Sequence, residues 1–186
     1  LGWEALTEGK NVYEKTLGIV CMGRNGNAVA QRAAGFRMPV LYCSRTAPAP
    51  SDSAPSWRHL SLQEVLSESD FISLHVPLTP DTRHLIGAAE LRLMRPTAFL
   101  INTSRGPVID EAALVGALRE HRLAGAGLDV YEQEPALHPG LRSLTQVVTL
   151  PHLGSATLSA RVLMGMVCIE NIRAVLEGRP APNRVN

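Results

Sequence analysis

From Leu17 onward, short runs of β-branched residues and leucine alternate with longer amphipathic stretches. No other feature constrains the chain as strongly, because strands separated by helix-length segments pair in parallel and need helices over the sheet. The strand runs fall at residues 17–22, 39–43, 71–75, 98–102, 126–130 and 147–150. Helices are expected between them. Over residues 26–36, Ala28, Val29, Ala33 and Ala34 share one side, and Asp110 is placed to cap a helix reaching His121, with Ala113, Leu114, Ala117 and Leu118 at helical spacing. A last, amphipathic helix is expected over residues 155–177, started by Ser155 and stopped by Gly178 and Pro180. The proline-bearing stretches 47–56 and 134–140 read as loops. Six parallel strands in one chain predict a doubly wound α/β fold with a long C-terminal helix.

Composition narrows the partners. The 186 residues are 45% apolar and 19% charged, enough to bury a core. Lys and Arg number 18 against 17 for Asp and Glu, and no basic block occurs, so no nucleic-acid surface is expected. The apolar runs fall well short of the roughly 18 to 20 residues that span a bilayer, so no membrane segment is expected either. The chain opens Leu1-Gly2-Trp3-Glu4, with neither an initiator Met nor a secretory pattern, which reads as a cytoplasmic protein and a piece of a longer one. Cys21, Cys43 and Cys168 form an odd set without CxxC spacing, so free thiols are expected. Cys21 and Cys43 both fall near the C-terminal ends of strands expected to be neighbours, which leaves a disulfide or a redox-sensitive thiol as the alternative. The six histidines have no spacing that converges on a metal.

The first strand run leads into Cys21-Met22-Gly23-Arg24-Asn25-Gly26 and then a helix. Such a turn suits a pyrophosphate, because glycines let the backbone approach it and the helix N-terminus offers unpaired N–H groups. A complete G-x-G-x-x-G would place glycine where Cys21 stands, and an ordinary strand-to-helix turn could carry the same residues. The acidic residue that would bond a ribose hydroxyl is missing: no Asp or Glu lies between Gly26 and Asp52, and the second strand ends in Ser44-Arg45-Thr46. Two hydroxyls and a guanidinium suit a 2′-phosphate, which favours NADP(H), with NAD(H) as the alternative and Arg45 as a solvated loop residue if neither binds.

Five segments together resemble the D-2-hydroxyacid dehydrogenase family, especially its glyoxylate/hydroxypyruvate reductase branch. They are Leu17-Gly18-Ile19-Val20-Cys21-Met22-Gly23-Arg24, His75-Val76-Pro77-Leu78-Thr79-Pro80-Asp81-Thr82, Ile101-Asn102-Thr103-Ser104-Arg105-Gly106, Gly127-Leu128-Asp129-Val130 and Pro151-His152-Leu153-Gly154-Ser155-Ala156-Thr157. The resemblance implies a Rossmann-like domain over residues 17–153, a C-terminal helix and tail over 154–186, and in 1–16 the remnant of an interdomain segment. The family's N-terminal substrate domain would be absent. By the same resemblance Arg105 would grip the carboxylate and carbonyl oxygen of a 2-oxo acid, His152 would give the proton, and Glu134 would hydrogen-bond the imidazole. Gly23, Arg24, Asn25, Gly26, Ser44, Arg45, Thr46, Val76, Pro77, Thr82, Thr103, Ser104, Asp129 and Gly154 would hold the cofactor, Asp129 at the nicotinamide carboxamide.

The implied activity is hydride transfer between a nicotinamide cofactor and a small 2-oxo or 2-hydroxy acid, glyoxylate or hydroxypyruvate favoured, weak or absent in these 186 residues alone. The implied assembly is a homodimer through residues 83–94 and 110–121. The related corepressors supply an alternative: a dinucleotide-sensing interaction module without catalysis.

Overall fold

A computed structural model of the chain describes residues 10–45 and 57–185. Thr46 and the expected loop over 47–56 lie outside the described residues. The chain forms two compact units, divided between Leu150 and Pro151.

The first unit is built on strands β1 (Leu17–Val20), β2 (Val40–Cys43), β3 (Arg58–His59), β4 (Phe71–Leu74), β5 (Phe99–Asn102), β6 (Gly125–Leu128) and β7 (Val147–Thr149). They make one parallel sheet in the order β3-β2-β1-β4-β5-β6-β7. The chain runs outward from β1 through β3, then returns to the other side of β1 with β4, so the strand order reverses there. A reversal of this kind opens a crevice at the C-terminal ends of the strands. The register puts Val20, Cys43, Leu74, Asn102 and Leu128 in one row. The loops that leave these five strands therefore emerge at the same edge of the sheet.

Six of the seven strands stand where the alternation put them, each within two residues of the expected ends. The seventh, β3, is a correction to the count. Its two residues are exposed and pair only with β2, too short a run to produce a periodic signal.

Two apolar clusters cover the faces of the sheet. Leu17 and Ile19 of β1, with Val40 and Tyr42 of β2, pack against α1 (Arg24–Ala33), whereas Val20, Leu74 and Leu100 belong to the larger cluster. That larger cluster takes in α2 (Leu62–Glu68), α3 (Ala88–Leu93) and α4 (Glu111–Arg119) through Leu66, Leu91, Leu114 and Leu118. Helix α4 begins as expected: the Asp110 carboxylate accepts the Ala113 N–H at 2.9 Å. Helix α1 begins two residues earlier than expected, which turns Gly26, Ala30 and Ala33 inward and leaves Ala34 exposed.

In the second unit, α5 (Leu158–Leu176) starts three residues later than expected, with Thr157 rather than Ser155 as its cap. The expected amphipathic stripe is also corrected. Large apolar side chains from Leu158 to Leu176 sit at all angles around the helix and are exposed, and only Ala174 is buried. Among the described residues no helix is long and apolar enough to cross a membrane.

Candidate functional site

The turn after β1 is tight. Cys21 holds the main chain at φ +79° and donates its N–H to the Cys43 carbonyl at 2.9 Å. Gly26 must be glycine, since a Cβ there would stand 2.3 Å from the Cys21 carbonyl oxygen. This close approach lets α1 start directly against the strand. A Cβ at Gly23 would meet only the Cys21 sulfur, at 3.9 Å, so no neighbouring element requires its bare backbone; it faces open space. Gly23 precedes a ten-residue helix with no acidic side chain in its first turn. An anion there would meet free N–H groups and the positive end of the helix dipole.

The turn forms one wall of a cleft of about 1050 Å3 at the point where the strand order reverses. Of the residues the sequence put at the cofactor, Gly23, Ser44, Arg45, Val76, Pro77 and Thr82 line it. Val76 is buried and Pro77 exposed, giving the wall its apolar stretch. The Thr82 hydroxyl donates to the Pro77 carbonyl at 2.6 Å and accepts the Thr79 N–H at 2.8 Å. Its one proton is committed to that bond, so Thr82 shapes the wall rather than offering a donor. Arg45 is exposed at the end of β2.

Several lining residues escaped the sequence reading. His59 of β3 stacks on Tyr42, with ring centroids 5.1 Å apart, and its Nε2 lies 3.2 Å from the Ser44 carbonyl. Ser61 caps α2, giving its N–H and hydroxyl to the Glu64 carboxylate at 2.8 and 2.6 Å; these bonds hold Glu64 below the usual carboxylate range. The Ser-x-x-Glu spacing was the available signal. Asp81 also lines the cleft and belongs to no pattern that marks a ligand, whereas Cys43, with Cys21, was singled out in the sequence by its place at a strand end.

At the end of β5, Asn102 is buried and organises the loop that leaves the strand. Its Nδ2 donates to the Arg105 carbonyl at 2.9 Å, and its Oδ1 accepts the Ser104 N–H at 3.0 Å and hydroxyl at 2.8 Å. The main chain at Arg105 is thereby fixed while its guanidinium stays exposed and donates to the Ser104 carbonyl at 2.6 Å. The next residue, Gly106, packs so closely on the Tyr131–Glu132 peptide that a Cβ would fall 1.9 Å from the Tyr131 carbonyl carbon. Glu134, in turn, accepts the Tyr131 N–H at 3.0 Å. The loops carrying Arg105 and Glu134 are therefore in direct contact through Gly106 and Tyr131.

Asp129, buried at the end of β6, donates its N–H to the Asn102 carbonyl at 3.0 Å and joins the same loop system. Thr103 is exposed and Ser104 half-buried; with Arg24, Asn25 and Gly26 they do not line the cleft. His152 and Gly154 belong to the second unit, where both are exposed.

One further network supports the Glu134 loop. Glu111, buried at the start of α4, accepts the Glu132 N–H at 2.6 Å, while Glu132 accepts the Glu111 N–H at 3.3 Å. His84 and Arg83 reach the other Glu132 oxygen at 2.6 and 3.3 Å. Burial pushes the Glu111 carboxyl above its usual range.

Comparison with known proteins supplies the identity of this arrangement. The profile of the family described as D-isomer specific 2-hydroxyacid dehydrogenase, NAD binding domain, matches residues 2–154. A glyoxylate reductase from Thermococcus litoralis is 49% identical over the whole chain, which covers 56% of that protein. The crystal structure of the TT0316 protein from Thermus thermophilus superposes with a TM-score of 0.91 at 47% identity, over all of this chain and 58% of the other. An NADPH-dependent glyoxylate/hydroxypyruvate reductase from Sinorhizobium meliloti, solved with NADP and malonate, has a TM-score of 0.81 at 35% identity over 86% of this chain and 49% of the other. The chain thus spans about half the length of the curated relatives it matches. With the parallel sheet, the cleft at its reversal point and this agreement in sequence, the chain belongs to the D-isomer-specific 2-hydroxyacid dehydrogenase family and carries its NAD-binding domain.

Proposed function

We propose that this domain serves an oxidoreductase that reduces glyoxylate or hydroxypyruvate with NADPH in preference to NADH. The cleft carries the proposal. Its walls combine Gly23, the residue directly before α1, which fits the approach of a pyrophosphate, with Ser44 and Arg45 where a carboxylate would bond an NAD ribose. The Arg45 guanidinium can donate several charge-assisted bonds to a 2′-phosphate. The names of the relatives support the substrate, and the Sinorhizobium enzyme supports the cofactor.

When bound, the nicotinamide supplies the hydride. Arg105, fixed through Asn102, holds the carboxylate of the 2-oxo acid and offsets the charge that grows on its carbonyl oxygen. By the family resemblance His152 gives that oxygen its proton, and Glu134 is the carboxylate assigned to partner the imidazole. Asp129 orients the nicotinamide ring, and Val76 with Pro77 keeps that side of the cleft dry. The 186 residues alone bind the dinucleotide without appreciable turnover, and the protein works as a homodimer joined through residues 83–94 and 110–121.

Calorimetric titration with NADPH and NADH tests the reading. NADPH is expected to bind at least about tenfold more tightly, and Arg45→Ala to remove most of that difference. Equal or tighter binding of NADH would overturn the NADP preference, and binding of neither would overturn the dinucleotide reading. Glyoxylate reduction by the 186 residues alone would overturn the need for further residues at the substrate. Sedimentation of a variant altered in segment 83–94 tests the dimer.

A further inference from the structure

The position that would complete the glycine turn holds a thiol, and a second thiol stands beside it. Cys43 ends β2 in register with Val20, and Cys21 comes directly after Val20, donating its N–H to the Cys43 carbonyl at 2.9 Å. Cys21 lies one residue past the register partner of Cys43, so a strand spacing of about 4.8 Å and a rise of about 3.3 Å put the two Cα atoms about 5.8 Å apart, inside the roughly 4.4 to 6.8 Å that a disulfide bridges.

In a regular strand Cys21 would face away from Val20. Its φ of +79° ends that alternation, and Val20, Cys21 and Cys43 all pack against the same apolar cluster. Both thiols are half-buried, free and part of the cleft wall, beside Gly23 on one side and Ser44 with Arg45 on the other.

The geometry points to Cys21 and Cys43 as a peroxide-oxidised dithiol whose disulfide closes the dinucleotide cleft, an assignment that rests on the cofactor reading above. The Cys21 thiolate attacks one peroxide oxygen, the O–O bond breaks, and Cys21 becomes a sulfenic acid as one water leaves. The Cys43 sulfur then attacks the Cys21 sulfur, the S–OH bond breaks, and the departing hydroxide takes the Cys43 proton as a second water. Two thiols and one hydrogen peroxide give one disulfide and two waters; the sulfurs lose two electrons and the peroxide gains them. An external dithiol reverses the step by exchange. The bridge ties the turn before α1 to the end of β2, across the floor a pyrophosphate must approach. A bound dinucleotide covers both sulfurs, so occupancy and oxidation exclude one another.

The test uses the chain carrying Cys168→Ser, which removes the exposed third thiol. After hydrogen peroxide, the intact mass is expected to fall by two hydrogens, with one peptide pair joining Cys21 to Cys43 in a non-reducing digest, reversed by dithiothreitol. Saturating NADPH is expected to slow the cross-link at least about tenfold, and the oxidised chain to bind NADPH at least about tenfold more weakly. Oxygen adducts on separate cysteines without a cross-link would overturn the pair. A cross-link indifferent to NADPH, in a chain that binds NADPH when reduced, would overturn closure of the cleft. A cross-link in a chain whose reduced form binds no NADPH would support the pair and count against the cofactor reading instead.

Discussion

A left-handed backbone costs a side-chain-bearing residue about 1–2 kcal/mol, because Cβ crowds the following carbonyl. Cys21 bears that cost at φ +79°, at the first of the three positions where the phosphate-binding turn ordinarily uses glycine. Replacing it by Gly relieves the crowding, and the freer unfolded chain takes back roughly 0.5–1 kcal/mol of the gain. Cys21→Gly is therefore expected to raise the melting temperature by about 1–4 °C. A fall on thermal melting would show that packing of the sulfur outweighs the strain. Gly106 presents the opposite case, since its missing Cβ would fall 1.9 Å from the Tyr131 carbonyl carbon. Gly106→Ala must push apart the loops carrying Arg105 and Glu134, at a cost of about 3 kcal/mol or more in urea unfolding. A loss under about 1 kcal/mol would mean that the loops separate freely. Arg105 and Glu134 stood out in the sequence as candidates because they sit in specific motifs. Asn102, which fixes Arg105, was not: a buried amide takes its role from three hydrogen bonds that only the folded loop brings together.

Between elements, the pairing of Glu111 with Glu132 joins the start of α4 to the loop after β6. Desolvation is the largest influence on Glu111; the Glu132 and Glu134 charges also raise it, while the bond from the Glu132 N–H and the charge of His138 lower it. The net shift is upward, so the folded chain keeps a proton that the unfolded chain has released. Stability from this group is consequently fullest at acid pH and declines as pH rises from the usual carboxylate value through the raised one. Glu111→Gln titrates nowhere and retains an oxygen for the Glu132 N–H. The variant is expected to gain on the native chain as pH rises from about 4 to 7, with urea unfolding at each pH as the measurement. A native chain that gained on the variant over that range would show the carboxylate to be net stabilised when charged. At this scale the sequence was readable wherever periodicity had length to act on. Four-residue strands buried in the sheet announced themselves, whereas β3 rests on its pairing with β2 and carries no periodic signal. Strand ends also ran long, at Met22 and His75; beyond Val20 the apolar run continues through Met22, which packs in the core although it lies past the strand.

For the whole molecule, the decisive feature is α5. A helix with one apolar stripe lies on a surface, but one apolar all round belongs in an interior. Leu158 and Leu176 are each 82% exposed and Leu163 63%, so α5 leaves uncovered the kind of surface that soluble proteins cover. The amphipathic reading failed here because a stop signal and a cap locate a helix without saying how many of its sides are covered. Relatives about twice as long have chain enough to cover such a helix; these 186 residues by themselves expose it to one another. Self-association that strengthens with concentration is therefore expected, and sedimentation equilibrium measures it. The double variant Leu163→Gln, Ile169→Gln removes two exposed apolar side chains and should shift the mass average toward a monomer or a discrete dimer. Association unchanged in the variant would place the adhesive surface on the first unit, where residues 83–94 and 110–121 lie. A native chain monomeric at every concentration would show that the exposed leucines and methionines of α5 do not drive association at all.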